Sequence, residues 1–274
     1  MKIVSHVIEI AGLRADIQGI ELGAQFKDFT ASGNPNFTVS CYDQYRLGIK
    51  IEDFYDDSQE WNIMIRKHNG VFKVFSTSQK QIEIGKVDIY NKTAVFHNYS
   101  DQLQKVLFSP FLRVCFQLFL SSLEGFSIHA CGVMVDRKGY LFVGPSGSGK
   151  TTLASLRPAK AVLLSDEYIC IKKQGEDFYI YSTPWRKAAK GKAKLAKIFF
   201  LNKSDESAEI FFKKNRPSSA LIQLLPNILY NSIDEHLIEH TFSVLTHMTS
   251  QIPAYQMYFP LDKPVWEAML HLDE

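Results

Sequence analysis

The sequence predicts an α/β protein, with a β-rich module over residues 1–100 and an α/β core over 101–274. Three observations predict it. Short apolar runs broken by hairpin signals fill the first hundred residues. The apolar run Tyr140-Leu141-Phe142-Val143 feeds a glycine-rich loop and then a helical pattern. A second apolar run, Ala161 to Leu164, ends in Ser165-Asp166-Glu167.

The elements follow in order. Trp61 to Arg66 and Val71 to Phe75 flank His68-Asn69-Gly70, a strong hairpin signal. Lys86 to Tyr90 and Thr93 to His97 flank Asn91-Lys92, a second hairpin. Asp53 to Glu60 is an acidic loop without the alternation of a calcium loop, so it is expected to be a solvated surface. A helix is expected from about Gln104 to Leu123, with Ser109 as N-cap, Pro110 at the first helical position and Gly125 as the stop. Ser127 to Val135 is a strand, Asp136 to Gly139 a turn, and Tyr140 to Val143 returns. Tyr168 to Lys172 and Phe178 to Tyr181 form a hairpin. Ile198 to Leu201 and Ile210 to Phe212 are strands. Ser218 to Leu225, Asp234 to Thr246 and Val265 to Leu270 are helices.

Composition narrows the function classes. A hydrophobic fraction of 46% in 274 residues supports sizeable cores and argues against disorder. The net charge of +2 gives no global pull toward nucleic acid or a membrane surface. Cys41, Cys115, Cys131 and Cys170 are widely spaced, which suits reduced thiols in the cytoplasm better than disulfides or a zinc site. The N-terminus meets Glu9 before any long apolar stretch, so no signal peptide is expected. Val106 to Leu120 is short for a membrane span and contains Arg113 and Gln117.

The loop carries the chemistry. Gly144-Pro145-Ser146-Gly147-Ser148-Gly149-Lys150-Thr151-Thr152 fits G-x-x-x-x-G-K-[ST], the P-loop pattern. Glycines let backbone N–H groups turn inward around a phosphate. Gly144, Ser146, Gly147, Ser148, Gly149, Lys150, Thr151 and Thr152 are therefore the expected nucleotide-binding residues. Lys150 reaches the β- and γ-phosphates, the Thr151 hydroxyl binds Mg²⁺, and the following helix points its positive end at the same anion.

A P-loop site also needs a carboxylate on the magnesium side. Asp166 and Glu167 supply two, at a strand end where α/β sheets present ligand groups. They are expected on the next strand of the same βαβ unit. The competing reading makes Asp166 a cap and Glu167 a solvated surface acid. From spacing alone, His129 reads as a core histidine beside the loop. Thr183-Pro184-Trp185-Arg186-Lys187 has cations for a phosphate, but a surface turn with an aromatic anchor looks the same. Lys187, Lys190, Lys192, Lys194 and Lys197 read either as a mobile basic segment or as simple solvated lysines. His236-Leu237-Ile238-Glu239-His240 fits the inverted zinc-protease pattern. No second sequence element supports that metal reading.

Three segments together resemble a known family: His129 to Val133, Gly139 to Leu153, and Leu164 to Glu167. They resemble the HPr kinase/phosphorylase superfamily, which shares its P-loop core with PEP carboxykinase. The likeness is greatest to HPr-kinase-like proteins found beside peptide-modification genes. Some of those phosphorylate a serine on ribosomal precursor peptides, including lasso-peptide precursors. Thr183-Pro184-Trp185 and Ile198 to Lys203 fit the same subgroup, so the resemblance spans about Gly125 to Lys203.

The resemblance implies an HPr-kinase/PEP-carboxykinase-like P-loop core and a serine kinase that uses ATP and Mg²⁺. It implies that His129 lies near the transferred phosphate, that Lys150 binds phosphate and Thr151 binds Mg²⁺. Asp166 would be the base toward the acceptor hydroxyl and Glu167 the second magnesium ligand. The family commonly has two aspartates at that place, so Glu167 departs from it. The glycine-rich segment that HPr kinase/phosphorylases carry after the second acid has no counterpart here. The expected acceptor is a peptide or small protein, and relatives of this type often form homo-oligomers. Two other readings stay open: a nucleotide-binding regulatory protein without transfer, and a small-metabolite kinase of the same fold.

Overall fold

The computed structural model describes residues 4–44, 48–49, 63–76, 81–185, 189–203, 209–229, 234–260 and 264–272. The acidic loop at Asp53 to Glu60 lies outside them, as do Trp61, Asn62, Arg186 and Lys187. The architecture is mixed α/β, with two large sheets and few helices. The chain divides into two units: residues 1–122 with 231–238, and residues 123–230 with 239–274. The division falls after the long helix, about twenty residues later than the boundary read from sequence.

The first unit holds a seven-stranded sheet. Its strands are β1 (Ser5–Ile10), β2 (Leu13–Gln18), β3 (Phe37–Asp43), β4 (Ile63–His68), β5 (Val71–Ser76), β6 (Ile82–Asp88) and β7 (Thr93–Asn98), in the order β1-β2-β3-β7-β6-β5-β4. Both predicted hairpins form. Asn69 and Gly70 take positive φ (49° and 79°), as a two-residue hairpin turn requires. Helix α1 (Asp101–Ser121) lies on this sheet, with Phe96 of β7 meeting Phe108 and Phe111 at ring centroids of 5.2 and 5.4 Å. Phe37 of β3 stacks on Phe119 at 4.1 Å. This packing places α1 with the first unit.

Two expectations for α1 are corrected. Ser100, not Ser109, is its N-cap, and the Ser100 hydroxyl accepts from the Leu103 N–H at 3.2 Å. Pro110 therefore sits inside the helix. An interior proline costs about 3 kcal/mol. Burial of Leu103, Leu107, Phe108, Phe111 and Leu112 offsets it, at roughly 1.5–3 kcal/mol each. Gly125 does not stop α1; it opens the next strand. Length and composition would let α1 cross a membrane, but two thirds of its apolar window (67%) is buried, as in a core helix.

The second unit contains β8 (Gly125–His129), β9 (Cys131–Val135), β10 (Lys138–Val143), α2 (Lys150–Ser155), β11 (Val162–Ser165), β12 (Tyr168–Gln174), β13 (Asp177–Tyr181), β14 (Lys192–Lys203), β15 (Phe211–Lys214), α3 (Pro217–Leu224), β16 (Ile228–Leu229), α4 (Glu235–Gln251), β17 (Ala254–Phe259) and α5 (Val265–Leu270). The first four residues of α4 count with the first unit. There Asp234 caps α4 through the Leu237 N–H at 2.9 Å and pairs with Lys67 of β4. Burial pushes the Asp234 carboxyl up, but the bonds from Lys67 and Leu237 outweigh it and hold it below its usual range.

The strand expected over Ser127 to Val135 is two strands, broken at Ala130. The sheet order is β11-β9-β10-β14-β13-β12-β8-β16, with β17 beside β14 and β15 beside β17. β8 and β9 are consecutive in the chain, yet the sheet path between them passes through β10, β14, β13 and β12. The sheet therefore curls back, and the Ala130 N–H donates to the Glu167 carbonyl at 3.0 Å where it does so. Alternation along the strands sorts the cores. Leu141, Val143, Ile169 and Ile180 pack with α3 and α4 on one face. Cys131, Val133, Tyr140 and Phe142 pack with α2 and α5 on the other.

The connection from β10 through α2 to β11 differs from expectation. β10 and β11 both pair antiparallel with β9, so they run parallel with β9 between them. They do not form an adjacent-strand βαβ unit. The tight β9–β10 hairpin takes one edge of β10, with Asp136 and Arg137 at positive φ (49° and 66°), and β14 takes the other.

Candidate functional site

One edge of the second sheet gathers most of the candidate residues. Val143 ends β10 and Ser165 ends β11, and their parallel direction sends the next residues off the same edge. β9 runs the other way, so it begins there: Cys131 pairs with Phe142, and Gly132 with Ser165. The glycine loop, the Asp166-Glu167 pair and Cys131 thus converge by topology alone.

The loop between β10 and α2 is built around missing side chains. A Cβ on Gly144 would lie 2.6 Å from the Ser148 hydroxyl oxygen and 3.0 Å from its Cβ. Gly147 and Gly149 take φ of +77° and +98°, which disfavours any other residue. Pro145, Ser146 and Gly147 are exposed, as are the Thr151 and Thr152 side chains at the start of α2. Ser148 is buried, and its hydroxyl has no hydrogen-bond partner. A buried hydroxyl without a partner is costly unless something completes it. The expected contribution of the α2 dipole is modest, because α2 has only six residues. Within the loop itself, the Ser148 N–H donates to the Pro145 carbonyl at 3.1 Å.

Lys150 is 8% exposed. Its ammonium donates to the Gly144 and Pro145 carbonyls at 2.6 and 3.0 Å, closing the loop on itself. Burial lowers the Lys150 pKa below the ordinary lysine value, against the pull of Cys131 and Glu167. Cys131 feels the neighbourhood in reverse. Burial and the Asp166 carboxylate push its thiol up to about 12, while Lys150 and Arg157 act in the opposite direction. Lys150, Cys131, Asp166 and Glu167 thus share one electrostatic neighbourhood.

His129 ends β8 opposite Tyr168, the first residue of β12, with ring centroids 6.0 Å apart. Tyr168 follows Glu167 directly, so His129 is held one strand from the acidic turn. It is only partly buried, and so is less enclosed than the core histidine that spacing suggested.

The lysines of the basic segment divide. Lys192 donates to Gln174 and lies 4.0 Å from the Tyr179 ring centre. Lys194 pairs with Asp177 at 2.7 Å, and Lys197 donates to the Leu272 carbonyl. All three stand on β14, which corrects the expectation of a mobile segment there. His236 and His240 lie on α4, and among the described residues no group of three or more His, Cys, Asp or Glu side chains is placed to hold a metal.

Three supporting residues went unrecognised in the sequence. Ser165 is fully buried and its hydroxyl accepts from the Glu167 and Tyr168 N–H groups at 3.3 and 3.1 Å. The Thr183 hydroxyl donates to the Tyr168 carbonyl at 2.8 Å. The Trp266 indole of α5 donates to the Leu153 carbonyl of α2 at 2.9 Å. A serine ahead of two acids carries a turn signal that could have found Ser165. The Thr183-Pro184-Trp185 segment stands out in the sequence, but nothing local gives Thr183 its bond to Tyr168 or Trp266 its bond to Leu153, because those partners are distant in sequence.

No family profile matches the sequence, and no curated protein matches it. Solved structures do match. Among them is the Hpr(Ser) kinase/phosphatase from Coxiella burnetii, 11% identical, with a TM-score of 0.31, covering 53% of this chain and 91% of that one. A likeness of that size leaves function to be argued from the site.

Proposed function

We propose that this protein is a phosphotransferase with a P-loop core that moves the γ-phosphoryl group of ATP, with Mg²⁺, to a serine-type hydroxyl of a peptide or small protein. One observation carries the reading. A glycine loop with a buried, unpartnered Ser148 hydroxyl leaves the same sheet edge as Asp166 and Glu167. The loop has the shape and donors for an anion, and the acids have the chemistry for a hydroxyl and a cation. The segments that resemble the HPr-kinase-like serine kinases are the same ones that build this edge.

The roles follow from the groups. The loop N–H groups and the Ser148 hydroxyl bind phosphate oxygens. Lys150 shifts its donors from the Gly144 and Pro145 carbonyls to the β- and γ-phosphates, and Ser146 and Thr152 stand at the rim of the same loop. The Thr151 hydroxyl and Glu167 are the residues that would hold Mg²⁺, which when bound neutralises phosphate charge. Asp166 accepts the proton of the acceptor hydroxyl as its oxygen bonds to the γ-phosphorus. The bond from that phosphorus to the bridging oxygen breaks, and ADP leaves with Lys150 on its terminal phosphate. His129, one strand away, faces the transferred group.

The test follows label from γ-labelled ATP with Mg²⁺ into a producer-cell extract, comparing wild type with Lys150→Ala. Acid-stable label entering one small protein or peptide, with wild type only, is the expected result. Label that stays on ATP would replace this reading with a nucleotide-binding regulator. Label found only in a small metabolite would replace it with a metabolite kinase.

A further inference from the structure

The acidic turn is held from every side by groups outside its two acids. Ser165 takes the Glu167 and Tyr168 N–H groups on one hydroxyl oxygen. The Glu167 carbonyl accepts from the Ala130 N–H at 3.0 Å, beside His129. The Tyr168 carbonyl accepts the Thr183 hydroxyl at 2.8 Å. Ser165 and Thr183 are 0% and 1% exposed, so water cannot substitute for either. Thr183 is fixed in turn by its neighbour: Ser182 bonds Gly191 through the Ser182 N–H to the Gly191 carbonyl at 3.0 Å and the Gly191 N–H to the Ser182 hydroxyl at 2.7 Å. These bonds anchor the residue directly before Thr183 to Gly191.

We infer that Ser165 and Thr183 are positioning residues that together set the aim of the Asp166 carboxylate toward the glycine loop. The inference rests on the phosphotransferase reading. Neither hydroxyl touches the reacting atoms. Each fixes one end of the short backbone segment from which Asp166 projects. Ser165 sets the turn on leaving β11, and Thr183 sets the start of β12. Loss of either lets the segment rotate, and a shift of about 1 Å at a catalytic group costs on the order of a hundredfold in rate. The Thr183-Pro184-Trp185 segment thereby acquires a role without any contact to phosphate.

The test uses the full chain with Ser165→Ala and Thr183→Val, plus the rescue variants Ser165→Thr and Thr183→Ser. Two readouts are taken: steady-state phosphotransfer, and hydrogen exchange of the Glu167 and Tyr168 amides. Expected are a kcat reduced about 30- to 100-fold with the KM for ATP within about threefold, and exchange faster by about tenfold. Rescue to within about threefold of wild type is expected from both hydroxyl-retaining variants. Unchanged exchange with unchanged kcat overturns the inference. So does a matched loss of kcat and ATP affinity without rescue, which marks a purely structural role. If wild type transfers no phosphate, exchange still decides. Faster exchange in a folded variant then upholds the clamp on the turn and overturns only the kinase reading, and unchanged exchange overturns the clamp.

Discussion

The two loops that leave the same sheet edge are built on opposite principles. In the acidic turn, Ser165, Ala130 and Thr183 bond the backbone N–H and carbonyl groups of Glu167 and Tyr168. The glycine loop is incomplete. Ser148 has a buried hydroxyl with no partner, and Lys150 spends its ammonium on the loop's own carbonyls. On the phosphotransferase reading, the loop is the half that takes up a ligand and the turn is the half fixed beforehand. Groups that must act on a proton are aimed beforehand, because misdirection there costs rate. Groups that must take up a polyanion keep donors in reserve.

The comparison is tested most severely at its aimed half. Asp166→Asn keeps the size of the side chain and removes its basicity. Phosphotransfer is expected to fall by about 10²- to 10⁴-fold, with nucleotide affinity nearly unchanged by calorimetry. Full activity in this variant would break the division of labour between the loops.

Gly144→Ala probes the waiting half. The new methyl would press on Ser148, so the loop must open before it can close on phosphate. Nucleotide affinity is expected to weaken by about tenfold, as for any lost charge-assisted contact of 1–2 kcal/mol. The melting temperature should fall by a few degrees, because the methyl presses on the buried Ser148. An affinity equal to wild type would show that the loop does not bind the anion.

The smallest effect is one of pH. Burial lowers the pKa of Lys150, and a bound polyphosphate would raise it again. The folded free protein therefore gives up this proton at lower pH than an ordinary lysine. In that alkaline window nucleotide binding should take up a proton, and affinity should fall as pH rises. Proton linkage measured by calorimetry in buffers of different ionisation heat checks it, with Lys150→Met abolishing the uptake. Stability has its own sign: the buried ammonium penalises the fold below the lowered pKa, and the penalty fades as pH rises through it.

Much of this was legible locally. Asn69-Gly70 predicts its hairpin because so few residues accept positive φ in sequence. The glycine loop was legible for the same reason, and Asp166 because an apolar run ends at it. Pro110 misled, since a proline rule about helix starts ignores the aromatic packing that carries α1 past it. The lysines of β14 misled differently. Lys192-Ala193-Lys194-Leu195 alternates with a period of two, the mark of a half-buried strand, and Ala193 and Leu195 are indeed buried. The neighbouring glycine and alanine runs mask that alternation.

The groups present and their local turns came from the sequence alone: a glycine-rich loop, two acids at a strand end, a histidine and a lysine. Short-range sterics and hydrophobic periodicity suffice for that. Tertiary structure was needed to place β9 between β10 and β11, and to bring Thr183 onto the turn that Ser165 caps locally. Those facts depend on pairings between residues far apart in the chain, where no local preference acts and only the shared burial of distant strands selects the partner.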